Sequence, residues 1–159
     1  VIPAGPLREK LNSIKNYDIA LINGKINKES KSFMNKIKNI NPNIKIFIGK
    51  YVPKNYLKLK KKKFIVFSGI GNPHTFTDTL KSMKIKFNGH EVFPDHYNYK
   101  ESDLQKLKQL AKQRGCELLT TEKDFFRIKK YYRKNINFLK VELSIEHEKK
   151  FLKYLSERL

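Results

Sequence analysis

The chain has 159 residues, of which 39% are hydrophobic, and its formal net charge is +20. This apolar content suffices for a folded core and argues against a disordered chain. The single cysteine, Cys116, excludes an intrachain disulfide and fits a reducing compartment. No apolar run approaches the roughly 20 residues of a membrane-spanning helix, and no segment resembles a signal peptide, so we expect a domain that is soluble or peripheral to a membrane.

The first third of the chain alternates between strand and helix patterns. Residues 18–23 form a strand candidate that ends at Gly24. Residues 29–39 place apolar side chains on one helical face, and Pro42 follows the helix as a breaker. Residues 44–48 read as a second strand. This order predicts strand, helix, strand.

A run of lysines comes next, formed by Lys58 together with Lys60, Lys61, Lys62 and Lys63. As the exposed entry to a strand it needs no ligand, because charge runs usually mark solvated surface. It also fits a surface that attracts anionic lipid headgroups, and both interpretations can hold together. The rest of the lysine excess is spread over every segment beside many Asn and Ile residues, a pattern that an AT-rich genome can produce.

Residues 64–67 are continuously apolar and predict a strand buried on both faces. Gly69 and Gly71 allow a sharp turn, and Asn72 followed by Pro73 is typical of a helix start. The residues expected to face the core from this helix are Phe76, Leu80 and Met83.

The last third continues the alternation. Ser102 and Gln105 form a capping-box pattern for a helix that stops at Gly115. We then predict a strand at 117–121, a helix at 122–129 and a strand at 137–143, followed by a final helix capped by Ser144. The apolar face of the final helix is expected to comprise Ile145, Phe151, Leu152 and Leu155.

Alternating strands and helices favour an α/β fold, with a mostly parallel sheet and helices on both faces. Ligands of such open sheets bind beyond the carboxyl ends of the strands. The segments SGIGNP (68–73) and TTEKD (120–124) both follow predicted strands. We therefore expect the functional site at that edge.

Four separated segments carry a family resemblance: VIPAGPLRE (1–9), SGIGNP (68–73), FPDHYNY (93–99) and LLTTEKDFFRI (118–128). In this order and spacing they resemble the C-terminal half of the tetraacyldisaccharide 4'-kinases, P-loop enzymes of lipid A biosynthesis in Gram-negative bacteria. The resemblance implies transfer of the ATP γ-phosphate to the 4'-hydroxyl of tetraacyldisaccharide 1-phosphate at the cytoplasmic face of the inner membrane. It also implies an acylated disaccharide substrate and peripheral contact with an anionic membrane.

The Walker A pattern of that family, G-x-x-x-x-G-K-[ST], does not occur in this sequence. We therefore interpret residues 1–12 as the connection from a missing nucleotide-binding half, and residues 13–159 as a C-terminal α/β domain. The ligands of ATP and Mg²⁺ are expected mainly in the missing half. The fragment alone is expected to be inactive.

The resemblance assigns Arg8 and Glu9 to the nucleotide site. A guanidinium offers a rigid fork of donors to phosphate oxygens, and an adjacent carboxylate can orient it or help to hold Mg²⁺ or a ribose. A surface charge pair at a helix start explains the same two residues without a ligand. From sequence alone that structural explanation is the stronger one.

The resemblance also assigns His96 a catalytic role, in which it pairs with an aspartate base of the other half. Asp95 is then expected to hold the imidazole tautomer. A loop histidine bonded to backbone is the structural alternative. His90 and Glu91 invite a metal site, but a single cysteine and no tetrahedral ligand spacing argue against one.

Lys123 lies in the TTEKD segment, where Thr121 suits a helix N-cap and acidic residues suit the first turn. A structural role explains this segment, and Lys123 remains a candidate phosphate or nucleotide contact.

Two other functions stay open: a basic RNA-binding module, for which no RNP-like or KH-like pattern exists, and a noncatalytic adaptor on anionic lipid. The sequence leaves the oligomeric state and the acyl-chain preference open.

Overall fold

The computed structural model describes residues 9–24 and 26–158. They form two compact units. The central unit comprises residues 53–142, and the flanking unit comprises the described residues up to 52 and from 143 onward. The segment 13–159, which the sequence predicts as one domain, thus contributes to both units. The connection predicted for 1–12 lies largely outside the described residues and stays a prediction.

In chain order the elements are a 3-10 helix (Leu11–Asn16), β1 (Ile19–Asn23), α1 (Lys28–Ile40), β2 (Lys45–Pro53), α2 (Tyr56–Leu59), β3 (Lys63–Ser68), α3 (Pro73–Ser82), β4 (Lys86–Val92), α4 (Glu101–Gln113), β5 (Glu117–Thr121), α5 (Glu122–Arg127), a 3-10 turn (Lys130–Tyr132), β6 (Ile136–Leu139), β7 (Val141–Ile145) and α6 (Glu148–Ser156). The alternation expected from the sequence is confirmed, and β2 is longer than predicted.

The flanking unit holds a three-stranded sheet in the order β1-β2-β7. Strands β1 and β2 are parallel, with Ile19 opposite Lys45 and Asn23 opposite Gly49. Helix α6 packs on this sheet through Phe151, whose ring lies 5.0 Å from that of Phe47 in an edge-to-face contact.

The central unit holds a four-stranded parallel sheet in the order β4-β3-β5-β6. Side chains alternate along β3, so Phe64 and Val66 face one side and Ile65 and Phe67 the other. Both sets are fully buried. The first side packs on helices α2 and α3, and the second packs on α4. The prediction of a parallel sheet with helices on both faces is confirmed for this unit.

Helix α3 begins as the sequence predicts. The Asn72 side chain accepts the backbone N–H of Thr75 at 3.3 Å, and Pro73 is the first helical residue. Phe76 and Leu80 are buried, and Met83 packs against the same core cluster. Local capping and a buried face therefore fix the turn that follows β3.

Three predicted boundaries are wrong. Helix α4 begins at Glu101, before the predicted cap at Ser102, and Asp103 accepts the backbone N–H of Lys100 at 3.0 Å. The single strand predicted at 137–143 is instead parts of two strands, because the Lys140 N–H bonds to the Asn55 side chain at 3.0 Å and ends β6. Ser144 consequently lies in β7 rather than at a helix cap.

The final helix also begins later than predicted. Ile145 ends β7 and is not part of a helical face. Helix α6 follows His147, whose backbone is left-handed with φ 56°. None of the helices in the described part of the chain has the length and apolarity needed to cross a bilayer.

Candidate active site

The candidate site lies at the carboxyl edge of the central sheet. Strand β3 ends at Ser68, β4 at Val92 and β5 at Thr121, and the three strands are parallel neighbours. Their carboxyl ends therefore meet at one edge, where open α/β sheets place their ligands. The SGIGNP, FPDHYNY and TTEKD segments converge there, and the sequence predicts this position for SGIGNP and TTEKD.

Asp124 is the buried anchor of this edge, with no exposed surface. Its Oδ2 accepts the backbone N–H of Gly69 at 3.0 Å and the hydroxyl of Thr121 at 2.7 Å. Its Oδ1 accepts from Arg127 at 3.2 Å. Buried charges persist where they are paired and hydrogen-bonded, and this carboxylate ties the loop after β3 to the start of α5. The Thr121 hydroxyl in turn accepts the Asp124 N–H at 3.1 Å, which confirms the predicted N-cap.

Arg127 extends this anchor toward the loop after β4. One guanidinium nitrogen, Nη1, donates to the carbonyl oxygen of Gly69 at 2.9 Å as well as to Asp124. The other, Nη2, lies 2.9 Å from Nδ1 of His96. The side chain is only 17% exposed. Sequence reasoning missed this residue, although its position three residues after Asp124 places both on one side of α5.

His96 lies on a loop whose backbone is constrained. Its φ of 61° is left-handed, a conformation that costs a non-glycine residue about 1 kcal/mol or more. The backbone N–H of His96 donates to Asp95 Oδ1 at 2.9 Å and to the Gly69 carbonyl at 3.2 Å. The side chain is 69% exposed. The loop thus presents an accessible imidazole from a tethered backbone.

Asp95 contacts the backbone of His96 more closely than it contacts the ring. Its Oδ2 lies 3.8 Å from Nε2, beyond hydrogen-bonding distance. The same oxygen would lie 3.3 Å from a Cβ placed on Gly71. Asp95 and His96 therefore lie together, as predicted, but the hydrogen-bonded side-chain partner of the ring is Arg127.

Aromatic residues of the FPDHYNY segment pack against one another and against β3 next to this loop. Tyr99 is buried, and its ring meets Phe67 and Phe93 edge to face at 5.4 and 5.1 Å. Its hydroxyl has no hydrogen-bond partner within the part of the chain that the structure describes. Burial, reinforced by the nearby Asp124 carboxylate, raises the pKa of Tyr99, so this phenol stays protonated.

His90 forms a second polar contact near this edge. Its Nε2 lies 2.8 Å from the hydroxyl of Ser68, which is fully buried. Burial lowers the pKa of His90 below its ordinary value of 6.5, and His74 lowers it further. Because Ser68 and Phe76 contact the imidazole, a structural role explains this histidine.

The lowered pKa of His90 predicts acid-sensitive stability. The unfolded chain binds the proton first as the pH falls through about 6.5, so the folded state loses stability below that pH and is unaffected above it. A His90→Gln variant should show a smaller loss of unfolding free energy between pH 7 and pH 5, measured by urea unfolding. Equal pH dependence in variant and parent would contradict the prediction.

The lysine run lies at the opposite edge of the same sheet. Lys63 begins β3, whereas the candidate site follows the end of that strand. Lys62 pairs with Glu117 at 2.9 Å, and this contact lowers the pKa of Glu117. Lys60 lies over the ring of Tyr56 at 5.2 Å. The structure therefore does not bring this run together with His96.

The remaining predicted site residues are Arg8, Glu9 and Lys123. Arg8 lies outside the described residues. Glu9 belongs to the flanking unit, where its Oε2 accepts the hydroxyl of Tyr17 at 3.1 Å and raises the pKa of that phenol. Lys123 is exposed in the first turn of α5.

The described residues contain no ready-made cluster of metal-binding side chains. They contain no group of three or more His, Cys, Asp or Glu side chains able to hold a metal ion. Both oxygens of Asp124 are already used by protein donors, and Asp95 is a single carboxylate beside a histidine.

The sequence model of the tetraacyldisaccharide-1-P 4'-kinase family matches residues 1–159. The chain belongs to this family. The resemblance read from the four segments is thereby confirmed, and the tetraacyldisaccharide-1-P 4'-kinase motifs around Gly69, His96 and Asp124 are the ones that the fold brings together at one edge.

Curated relatives in the 4'-kinase family are substantially longer than this chain. The tetraacyldisaccharide 4'-kinase of Pelagibacter ubique is 41% identical over 150 residues, which are 93% of this chain and 47% of the relative. The enzyme of Rickettsia africae is 42% identical over 150 residues, with 92% and 44% covered. The chain therefore spans about half the length of the curated relatives that it matches.

A solved structure in the 4'-kinase family has a similar fold. It is the "apo" form of LpxK from Aquifex aeolicus in complex with ATP, with a TM-score of 0.63 and 25% sequence identity. The alignment covers 99% of this chain and 47% of that protein. The P-loop kinase fold expected from the motifs is thus supported by structure as well as by sequence.

Proposed function

We propose that this chain forms the C-terminal half of a lipid A 4'-kinase. The complete enzyme would transfer the ATP γ-phosphate to the 4'-hydroxyl of tetraacyldisaccharide 1-phosphate. One observation carries the proposal: His96, in a motif of this kinase family, is held accessible at the carboxyl edge of a parallel sheet by Gly69 and Arg127. The ATP in the related solved structure supports the nucleotide as phosphate donor.

The chemistry requires a base and precise placement. In the transfer, the 4'-hydroxyl oxygen forms the new bond to the γ-phosphorus, the bond to ADP breaks, and the hydroxyl proton passes to a base. A carboxylate from the nucleotide-binding half would be that base. His96 would hydrogen-bond to this carboxylate and hold it toward the hydroxyl, and Asp95 would secure the backbone of His96.

Three residues of this chain are proposed to contact the nucleotide. Arg8 and Glu9 would complete the ATP site beside the preceding half, which would also supply the Walker A loop and the Mg²⁺ ligands. Lys123 would contact a phosphate, because it is exposed in the first turn of α5, directly after the carboxyl end of β5.

The experiment is an assay of ATP-dependent phosphorylation of the tetraacyl disaccharide. It compares residues 1–159 with a full-length protein, meaning this chain preceded by its nucleotide-binding half. We expect activity only in the full-length protein. A full-length protein that binds ATP and anionic lipid but leaves the disaccharide unphosphorylated would contradict the proposal and favour a lipid adaptor.

Membrane contact is a separate part of the proposal. The acceptor is an acylated anionic lipid, so the enzyme would work peripherally at the cytoplasmic face of the inner membrane. Lys60, Lys61 and Lys63 would attract anionic headgroups, while Lys62 is engaged by Glu117. Each basic residue near an anionic bilayer contributes about 1 kcal/mol.

Replacing Lys60, Lys61 and Lys63 with Gln should therefore weaken binding of the full-length protein to anionic vesicles in a sedimentation assay. Vesicles without anionic lipid should show no difference between variant and parent. A matched control replaces three exposed lysines of other elements, namely Lys106, Lys112 and Lys149. Equal effects of the two triple variants would identify the run as a solvated strand entry.

A further inference from the structure

His96 has a ring partner that determines where its proton lies. Nη2 of Arg127 lies 2.9 Å from Nδ1 of His96. A guanidinium can only donate hydrogen bonds, so Nδ1 must be the acceptor. A neutral imidazole with Nδ1 as acceptor carries its proton on Nε2. The contact therefore selects one tautomer.

Arg127 is itself held rigidly enough to impose this choice. Its other terminal nitrogen donates to the Gly69 carbonyl and to Asp124, which is completely buried. Gly69 also accepts the backbone N–H of His96. One guanidinium thus links the loop after β3, the start of α5 and the imidazole. While the imidazole accepts from Arg127, its ring has little freedom to rotate or to exchange tautomers.

Asp95 does not determine the tautomer in the same way. Its Oδ1 bonds to the backbone N–H of His96, and its Oδ2 lies 3.8 Å from Nε2. The Nε2–H group is therefore not engaged by a protein acceptor at hydrogen-bonding distance among the described residues. Since 69% of the side chain is exposed, that N–H remains available to an external acceptor.

We propose that Arg127 is the positioning residue that fixes His96 in its Nε2–H tautomer, so that His96 presents a donor rather than a lone pair to the reacting groups. A donor at this position is what a catalytic carboxylate needs as a partner, and this part rests on the proposed function of His96. Arg127 touches neither substrate nor nucleotide in this account and acts through His96 alone.

The first test observes the tautomer directly in the full-length protein. Histidine labelled with ¹⁵N distinguishes a protonated from an unprotonated ring nitrogen by chemical shift, and a His96→Gln variant assigns the signal. We expect Nε2–H in the parent and a mixture of tautomers in Arg127→Leu. An Nε2–H signal that persists unchanged in Arg127→Leu would overturn the inference.

A matched control separates tautomer selection from loss of structure. Arg133 is also a partly buried arginine, and it donates to the backbone carbonyls of Ile128 and Phe126, both at 2.8 Å. Arg133→Leu should destabilise the protein while leaving the His96 signal unchanged. If Arg127→Leu does not fold, Arg127→Lys carries the test, because lysine has a single nitrogen and lacks the guanidinium fork that reaches Gly69 and Asp124 through Nη1 and His96 through Nη2.

The second test is kinetic and uses a double-mutant cycle. Arg127→Leu should lower kcat by about 10- to 100-fold, as expected for a misplaced catalytic group, with little change in the KM for ATP. In a His96→Ala background it should cause almost no further loss of kcat. An equal loss in both backgrounds would overturn the inference. If His96→Ala itself leaves kcat unchanged, the proposed role of His96 fails, while the tautomer measurement still decides the role of Arg127.

Discussion

Replacing His96 with Ala in the full-length protein should lower kcat by about 100-fold or more, the usual contribution of a group that assists proton transfer. The KM and the affinity for ATP should remain near the parent values, because the proposed ATP contacts are made by other residues and by the preceding half, whereas His96 is proposed to act on the base. Steady-state assays with saturating disaccharide lipid, together with ATP binding measured by calorimetry, separate the two effects.

The chain offers a matched control for that experiment. His147 is a second exposed histidine with a left-handed backbone, at φ 56° against 61° for His96. A change to Ala removes an imidazole from the same type of backbone conformation in both positions. His147→Ala should retain parental kcat, and equal kcat in His96→Ala and the parent would refute the catalytic role of His96.

Asp124→Ala should be the most destabilising substitution at the site. It leaves the Gly69 N–H without its acceptor and the largely buried Arg127 guanidinium without its counter-charge. Removing one partner of a buried ion pair costs about 3–5 kcal/mol. Urea unfolding of the full-length protein measures the loss for the transition that contains the central unit.

A carboxylate of the same unit serves as the control. Asp78 is 74% exposed and lies 3.9 Å from Lys81, and exposed pairs of this kind contribute about 1 kcal/mol or less. Asp78→Ala should therefore have a small effect. Comparable losses in Asp124→Ala and Asp78→Ala would show that Asp124 does not anchor the edge.

The elements that sequence reasoning predicted well are those whose causes are local. Strand β3 follows from four consecutive apolar residues, and the start of α3 follows from Asn72 and Pro73, which act within one helical turn. The cap at Thr121 is equally local, since its partner is Asp124 three residues later. Short-range patterns therefore placed two of the three segments that build the site.

The features that sequence reasoning missed depend on distant contacts. The break after β6 is set by Asn55, which is 85 residues away from Lys140 in sequence. The contact between Arg127 and His96 joins residues 31 apart on separate segments. The left-handed backbone of His147 does not follow from its residue type, because histidine tolerates this conformation without requiring it. Neither the Asn55–Lys140 contact nor the Arg127–His96 contact lies within one helix or strand, so a local sequence pattern does not predict it.

The most direct test of the central claim joins this chain to the nucleotide-binding half of the Pelagibacter ubique relative, which is 41% identical over the shared region. The chimera is assayed for ATP-dependent phosphorylation of tetraacyldisaccharide 1-phosphate beside the intact relative and a chimera carrying His96→Ala. We expect the chimera to phosphorylate the 4'-hydroxyl and the His96→Ala chimera to lose that activity. A folded chimera that binds ATP but transfers no phosphate to the lipid, beside an active relative, would contradict the assignment of this chain as half of a kinase site.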